Sequence, residues 1–166
     1  MTFMAKDAKT QEELFLYWLR SIHTAETRII ERLPDLIDKT GTGPLRQGLR
    51  SYLTEVETRI SRLEKIFADI DASPDDAGAQ AIDALLEEAR AVMTSTMGEE
   101  TVETALTAVA RMIVGYELAR YTTLLEWSNE LGRETCTTLL DEAWTEVCDA
   151  QEMLTKAAEE RKNRSA

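Results

Sequence analysis

Helix breakers are scarce: seven glycines and three prolines in 166 residues leave long uninterrupted stretches, which argues against a turn-rich all-β chain. Cysteine is equally sparse. Cys136 and Cys148 fall in one predicted helix, where the rise over the intervening turns separates them by about 18 Å, beyond disulfide reach. With no Cys-x-x-Cys pair and no Cys/His cluster, neither thiol redox catalysis nor a structural zinc site has support. Positive charge is in deficit, with Lys+Arg 19 against Asp+Glu 31 and a net charge of −12, so nucleic acid is excluded as a partner over most of the surface. No apolar run approaches membrane-spanning length, and residues 1–9 lack the apolar core of a signal peptide, so a cytoplasmic protein without membrane contact is expected. Gly-rich phosphate loops and nucleophile elbows are absent. Histidine, the commonest partner of carboxylates in metal sites, occurs once, as His23.

What is present is long helical periodicity. The first predicted helix runs from about Thr10 to Asp38, opened by the Thr10/Glu13 capping-box pattern and punctuated by Gly41 and Gly43, with a kink or early end possible at Pro34. Its inward stripe is Phe15, Leu19, Ile22, Glu26, Ile29 and Leu33. A second helix, about Pro44 to Ile70, carries Leu45, Leu49, Tyr52, Val56, Ile60, Leu63 and Phe67 on one face, with Pro44 suited to its first turn. After a turn-rich break over Asp71 to Gly78, a short helix is expected over about Ala79 to Thr94. A further long helix spans about Glu99 to Leu131, with the stripe Leu106, Ala110, Ile113, Glu117, Tyr121, Leu124, Ser128 and Leu131, and Gly132 as its C′ residue. The last covers about Glu134 to Arg161, with Leu139, Ala143, Glu146, Ala150 and Met153 on one edge and a frayed tail beyond. This pattern is all-α. It is a single domain over 1–166, core about 10–160, in which a long connection between the second and third long helices carries an additional short helix, as in ferritin-like four-helix bundles with one long crossover.

Four glutamates interrupt or flank these stripes, one per long helix: Glu26, Glu55, Glu117 and Glu146. Carboxylates projecting inward from every helix are how such bundles hold paired metal ions. A buried carboxylate otherwise needs a cation, hydrogen bonds or a proton to offset lost solvation. Taken alone, ion pairing or protonation is the simpler reading, since Arg59 lies four residues after Glu55 and Arg120 three after Glu117. Glu55 flanks its stripe and is expected to be half exposed. His23, three residues before Glu26, reads as a partly buried, hydrogen-bonded histidine. Tyr52 and Tyr121 read as core residues with satisfied hydroxyls, and Trp18, Trp127 and Trp144 as packing or dimer contacts.

Several stretches together resemble one family. They are Thr24-Ala25-Glu26 and Arg32-Leu33-Pro34; Leu53-Thr54-Glu55 and Arg62-Leu63-Glu64-Lys65-Ile66-Phe67; Ala81 to Glu88; Tyr116-Glu117-Leu118-Ala119-Arg120-Tyr121; and Glu130-Leu131-Gly132. In this order, from about Glu12 to Ala158, the chain resembles the YciF-type ferritin-like family of bacterial stress-associated proteins. The resemblance implies a four-helix bundle, a homodimer or pairing with a related ferritin-like subunit, and, in members with an intact site, a di-iron or similar centre. Here the family's glutamates map onto Glu26 and Glu55. Its helix-two histidine is replaced by Tyr52, its Glu-His-Tyr-Glu stretch by Val114-Gly115-Tyr116-Glu117, and a Glu-Glu pair by Glu146-Val147. Every departure removes a ligand or a charge.

The expectation is therefore a ferritin-like, stress-associated bundle, non-catalytic, with a degenerate di-metal site at Glu26, Glu55, Glu117 and Glu146 and no cofactor. The alternatives are a residual carboxylate-bound iron or manganese protein with oxidase or storage activity, and a subunit of a ferritin-like assembly. For the cysteines, thiol titration of denatured, unreduced protein is expected to find two free thiols per chain. An intrachain disulfide would break the single-helix reading of residues 134–161.

Overall fold

The computed structural model of the chain describes residues 8–95 and 97–164. Its helices are α1 (Gln11–Lys39), α2 (Pro44–Asp69), α3 (Gln80–Met93), α4 (Glu99–Glu130) and α5 (Glu134–Arg164). The ends are set by local chemistry. Thr10 caps α1 by accepting the Glu13 N–H at 3.1 Å, while the Glu13 carboxylate turns back to the Lys9 N–H at 2.6 Å. Pro34 sits on the exposed face of α1, which runs through it without a break, so water can satisfy the carbonyl its ring leaves unpaired. The early end considered at this proline does not occur.

Pro44 opens α2 in its first turn. Both α2 and α4 end in Schellman geometry. After α2, Ala72 N–H donates to Phe67 O at 2.9 Å, with Asp71 at φ 52°. After α4, Arg133 N–H donates to Ser128 O at 2.9 Å, with Gly132 at φ 66°. The last helix continues to Arg164 rather than fraying from Arg161, and the rest of the expected tail, residues 165–166, lies outside the described residues.

Contacts between chain segments fix the topology. The start of α1 meets the end of α4 through Gln11 and Glu130, and Arg133 pairs with Glu12 at 2.8 Å. At that same end, Cys136 at the start of α5 faces Asp69 at the close of α2. At the other end, Arg164 of α5 lies 3.8 Å from Glu103 near the start of α4. Thus α2 and α4 point the same way, antiparallel to α1 and α5, and the chain must travel the length of the bundle between them. It does so through α3, which packs over α1 and α4, while the four long helices close a ring in the order α1, α2, α5, α4. This is the ferritin-like arrangement with one long crossover.

The core is the set of stripes facing that ring's axis. From α1 come Phe15, Leu19, Ile22, Ile29 and Leu33; from α4, Leu106, Ile113, Tyr121 and Leu124; from α5, Leu140, Val147 and Leu154. At each flank the stripes differ slightly from those read in the sequence. Leu131, Leu139 and Met153 are half-buried, whereas Cys136 is fully buried. On α2 the member after Val56 is Arg59, not Ile60. No described helix is long and apolar enough to cross a membrane.

Because only glycine adopts the left-handed backbone at Gly132 without strain, Gly132→Ala is expected to cost about 1 kcal/mol and lower the Tm by a few degrees. A thermal melt monitored by circular dichroism checks it.

Candidate functional site

The midpoints of the four long helices place their charged and phenolic residues at one level of the bundle. α1 supplies Glu26, α4 supplies Glu117 and Tyr121, and α2 supplies Tyr52 and, two helical turns further on, Arg59. The Glu26, Arg59 and Glu117 side chains are all 0 % exposed. Arg59 Nε donates to Glu26 Oε1 at 2.8 Å, and Arg59 Nη2 donates to Glu117 Oε1 at 2.9 Å. The planar fork of one guanidinium therefore bridges carboxylates from two other helices, which a lysine ammonium could not do with the same geometry.

Two tyrosines complete the shell. Tyr121 donates its hydroxyl to Glu26 Oε1 at 2.7 Å, and Tyr52 donates to Glu117 Oε2. Both phenols are held far above their ordinary range, first by burial; next to that, Glu117 acts on Tyr52 and Glu26 on Tyr121. They stay neutral and act as hydrogen-bond donors. Arg59 also packs over the Tyr52 ring, 5.2 Å from its centroid.

The electrostatics follow from counting charges. Burial works against the Arg59 charge, but Glu26 and Glu117 outweigh it and keep the guanidinium ionised. One cation faces two carboxylates, leaving one negative charge in excess. Burial, and then the Glu26 charge, push the Glu117 carboxyl well above the usual carboxylate range; Arg59 and the Tyr52 hydroxyl oppose that shift. The surplus negative charge thus favours the protonated form of Glu117. Glu26 Oε2 has no hydrogen-bond partner.

The other two glutamates stand outward of this centre. Glu146, 23 % exposed, pairs with Arg62 Nη1 at 2.6 Å and lies 3.9 Å from Arg59 Nη1. Glu55 is half-buried at the rim, its carboxyl raised by burial above all; Arg59 opposes the shift, and Glu146 and Asp149 reinforce it. Glu26, Glu117 and Glu146 thus converge on one arginine, and Glu55 borders them. The neighbour-in-sequence pairs named above are not the ones formed. Arg59 turns away from Glu55 into the bundle, and Arg120 stacks 3.9 Å over the Trp18 ring. Trp18 in turn packs 5.1 Å from Trp127, and Trp144 Nε1 donates to Thr122 Oγ1 at 3.0 Å, so the three tryptophans hold helices together.

His23 stays outside the cluster. It is half-buried, edge-on to Phe67 at 5.7 Å, and its Nε2 lacks the hydrogen bond expected for it. Burial lowers its pKa, with Glu64 and Glu26 opposing. Burial, helped by Asp69, pushes the Cys136 thiol up to about 11, which makes it a packing residue.

Among the described residues, no group of three or more His, Cys, Asp or Glu side chains is arranged to hold a metal ion. The reason is on view at the centre. A dinuclear metal site and the Arg59 guanidinium would compete for the same carboxylate oxygens, so the residues as placed do not fit the di-iron centre that the sequence resemblance implies for intact members.

Arg59 is the residue that sequence reading missed. From Val56, steps of three to Arg59 and of four to Leu63 fit a helical stripe as well as the steps through Ile60 do, and hydrophobicity favoured the isoleucine. A second pointer was available: buried glutamates on neighbouring helices require a cation.

Fold and site together define a ferritin-like helical bundle whose central carboxylates are bridged by an internal arginine. Residues 10–166 match the family described as Domain of unknown function (DUF892), and the chain belongs to that family. It is 29% identical over 159 residues to Protein YciF of Escherichia coli (strain K12), covering 95% of this chain and 96% of that protein. The crystal structure of the E. coli stress protein YciF superposes with a TM-score of 0.90 at 29% identity, covering 94% of this chain and 99% of that one. YcfI from Rhodopseudomonas palustris gives a TM-score of 0.87 at 33% identity, over 92% and 98% of the respective chains.

The charge count has a pH consequence. A group whose folded pKa lies above its unfolded value adds stability below the unfolded value and loses it as pH rises through the folded one. Glu117 is such a group, so its contribution should fall as pH rises above about 4.5. Glu117→Gln mimics the protonated acid. In urea unfolding from pH 5 to 8, wild-type stability is expected to decline relative to this variant as pH rises. A constant loss of about 3–5 kcal/mol in the variant would instead mean that Glu117 is an ionised partner of Arg59 throughout.

Proposed function

We propose that this chain is a non-catalytic, stress-associated helical-bundle protein in which an internal ion pair takes the structural place of a metal centre. The observation that carries this reading is the Arg59 bridge between Glu26 and Glu117, with all three side chains at 0 % exposure. A reaction at these carboxylates would need substrate to reach them and a group free to exchange protons or ligands with it. Here three of their four oxygens are engaged by a guanidinium and two phenols, and the fourth, Glu26 Oε2, is buried. The small cavity beside Tyr52 is walled by apolar side chains, among them Ile29, Leu33, Leu49, Ile113 and Leu154, and offers no reactive group. The stress association rests on similarity to the E. coli stress protein YciF. For a protein of this kind the useful product of folding is a stable surface, and a second copy or a related ferritin-like subunit is the partner we propose for it.

One observation favours a second reading, that of a residual iron or manganese protein. Glu55, Glu146 and Asp149 are close enough to raise the Glu55 pKa through like-charge repulsion, which a bound cation would relieve. Elemental analysis of protein purified without chelator or affinity metal separates the two. The expected result is far less than one iron, manganese or zinc per chain, with no rise in Tm on adding Fe(II), Mn(II) or Zn(II). Stoichiometric metal that disappears in a Glu55→Ala/Glu146→Ala variant would support the second reading and overturn the first.

A further inference from the structure

The carboxylates at the bundle centre define a cation position, and its present occupant is covalently part of the chain. Glu26 and Glu117 approach adjacent nitrogens of one guanidinium at 2.8 Å and 2.9 Å, and Glu146 stands 3.9 Å from the third. Two polar atoms on fully buried side chains of this cluster have no hydrogen-bond partner, Glu26 Oε2 and Arg59 Nη1. The arginine therefore leaves part of the carboxylate capacity unused. Its single positive charge can match only one of the two fully buried carboxyl groups in ionised form, whereas a dication could match both. The surrounding donors, carboxylate and phenolic oxygens from Tyr52 and Tyr121, are hard and suit manganese, magnesium or calcium better than thiophilic metals. Such ions take oxygen ligands at about 2.0–2.6 Å, so Glu26 and Glu117 would have to draw in toward a common point and Glu146 would have to move further, by more than about 1 Å.

Building on the reading that the native centre is metal-free, we infer that Arg59 is the built-in occupant of a carboxylate cation site, and that its side chain is what keeps a hard divalent ion from Glu26, Glu117 and Glu146. Removing that side chain leaves a polar void rather than an apolar one. A polar void lined by carboxylates is filled by water or a cation, because bare buried carboxylates are costly. The arginine reaches this position from α2, whose other contribution, Tyr52, already donates to Glu117. One residue on one helix thus decides whether the centre is internally compensated or dependent on an external ion.

The test uses the full chain, prepared metal-free, as wild type, Arg59→Ala, and Arg59→Ala/Glu26→Gln/Glu117→Gln. Mn(II) alone is the probe, read by calorimetric titration and thermal unfolding. Arg59→Ala is expected to melt below wild type without metal, and to regain Tm saturably with Mn(II). It should bind close to one ion per chain, about tenfold or more tighter than wild type. The triple variant, in which both fully buried carboxylates are replaced by neutral amides, should neither need nor bind the ion. An Arg59→Ala protein that gains nothing from Mn(II), or stays unfolded with and without it, overturns the inference. So does an equal response from the triple variant, which would place binding at surface acids. Stoichiometric metal in the wild type would instead refute the metal-free reading itself, so the two failures are distinguishable.

Discussion

The contact on which the rest of this structure depends is the bridge from Arg59 to Glu26 and Glu117. Burying a carboxylate in a helical bundle costs several kcal/mol unless its charge is matched and its lone pairs are used. This bundle buries two at its midpoint, on different helices, and meets both with a single guanidinium from a third. The requirement propagates outward. The tyrosines must be neutral to donate, one carboxyl is pushed toward its protonated form, and the three helices must hold one rotational register for the fork to reach both partners. Replacing the whole cluster by apolar side chains could leave a bundle of similar stability, because buried ion pairs seldom exceed a well-packed hydrophobic equivalent. What the cluster specifies is which faces of α1, α2 and α4 point inward.

That view also separates what sets the fold from what fills its centre. The ring of α1, α2, α5 and α4, with α3 carrying the chain from one end to the other, is set by apolar stripes and by caps at the helix ends. Neither depends on metal. The central level is the one place where the stripes are polar, and any cation that satisfies the carboxylates there is compatible with the packing above and below. A guanidinium tethered to α2 meets that demand without an external supply. It also cannot dissociate, so the oxygens it holds are not open ligand positions of the kind metal-dependent chemistry uses.

The fold was legible because its signals are long and redundant. Stripes over some thirty residues, Thr10 at a cap, Pro44 in a first turn and Gly132 at a C′ position each locate a boundary independently. The thirty-residue connection between the second and third long helices demanded a crossover. The convergence of the glutamates was legible too, since Glu26 and Glu117 sit at the centres of otherwise apolar stripes. What one dimension could not supply was the partner. Pairings such as Arg59 with Glu55 are visible as sequence spacings, whereas Arg59 with Glu26 and Glu117 joins residues 33 and 58 positions apart. A one-residue ambiguity in helical phase, Arg59 or Ile60, concealed the cation that the buried carboxylates required. The side chain of His23 was hidden for a related reason: nothing in the spacing says that its ring would pack edge-on to Phe67 with Nε2 left without a hydrogen bond.

The central claim is that the Arg59 guanidinium is sealed inside the bundle and held by both carboxylates. Side-chain hydrogen exchange of nitrogen-15-labelled protein tests this most directly, with the Arg59 Nε–H resonance assigned through an Arg59→Lys variant. The account expects that resonance to survive at a pH where the exposed arginines, such as Arg90, exchange away, and to be unchanged by chelator or by added divalent ions. An Arg59 Nε–H that exchanges as fast as those of the surface arginines, or that shifts when metal is stripped from the protein, would contradict it.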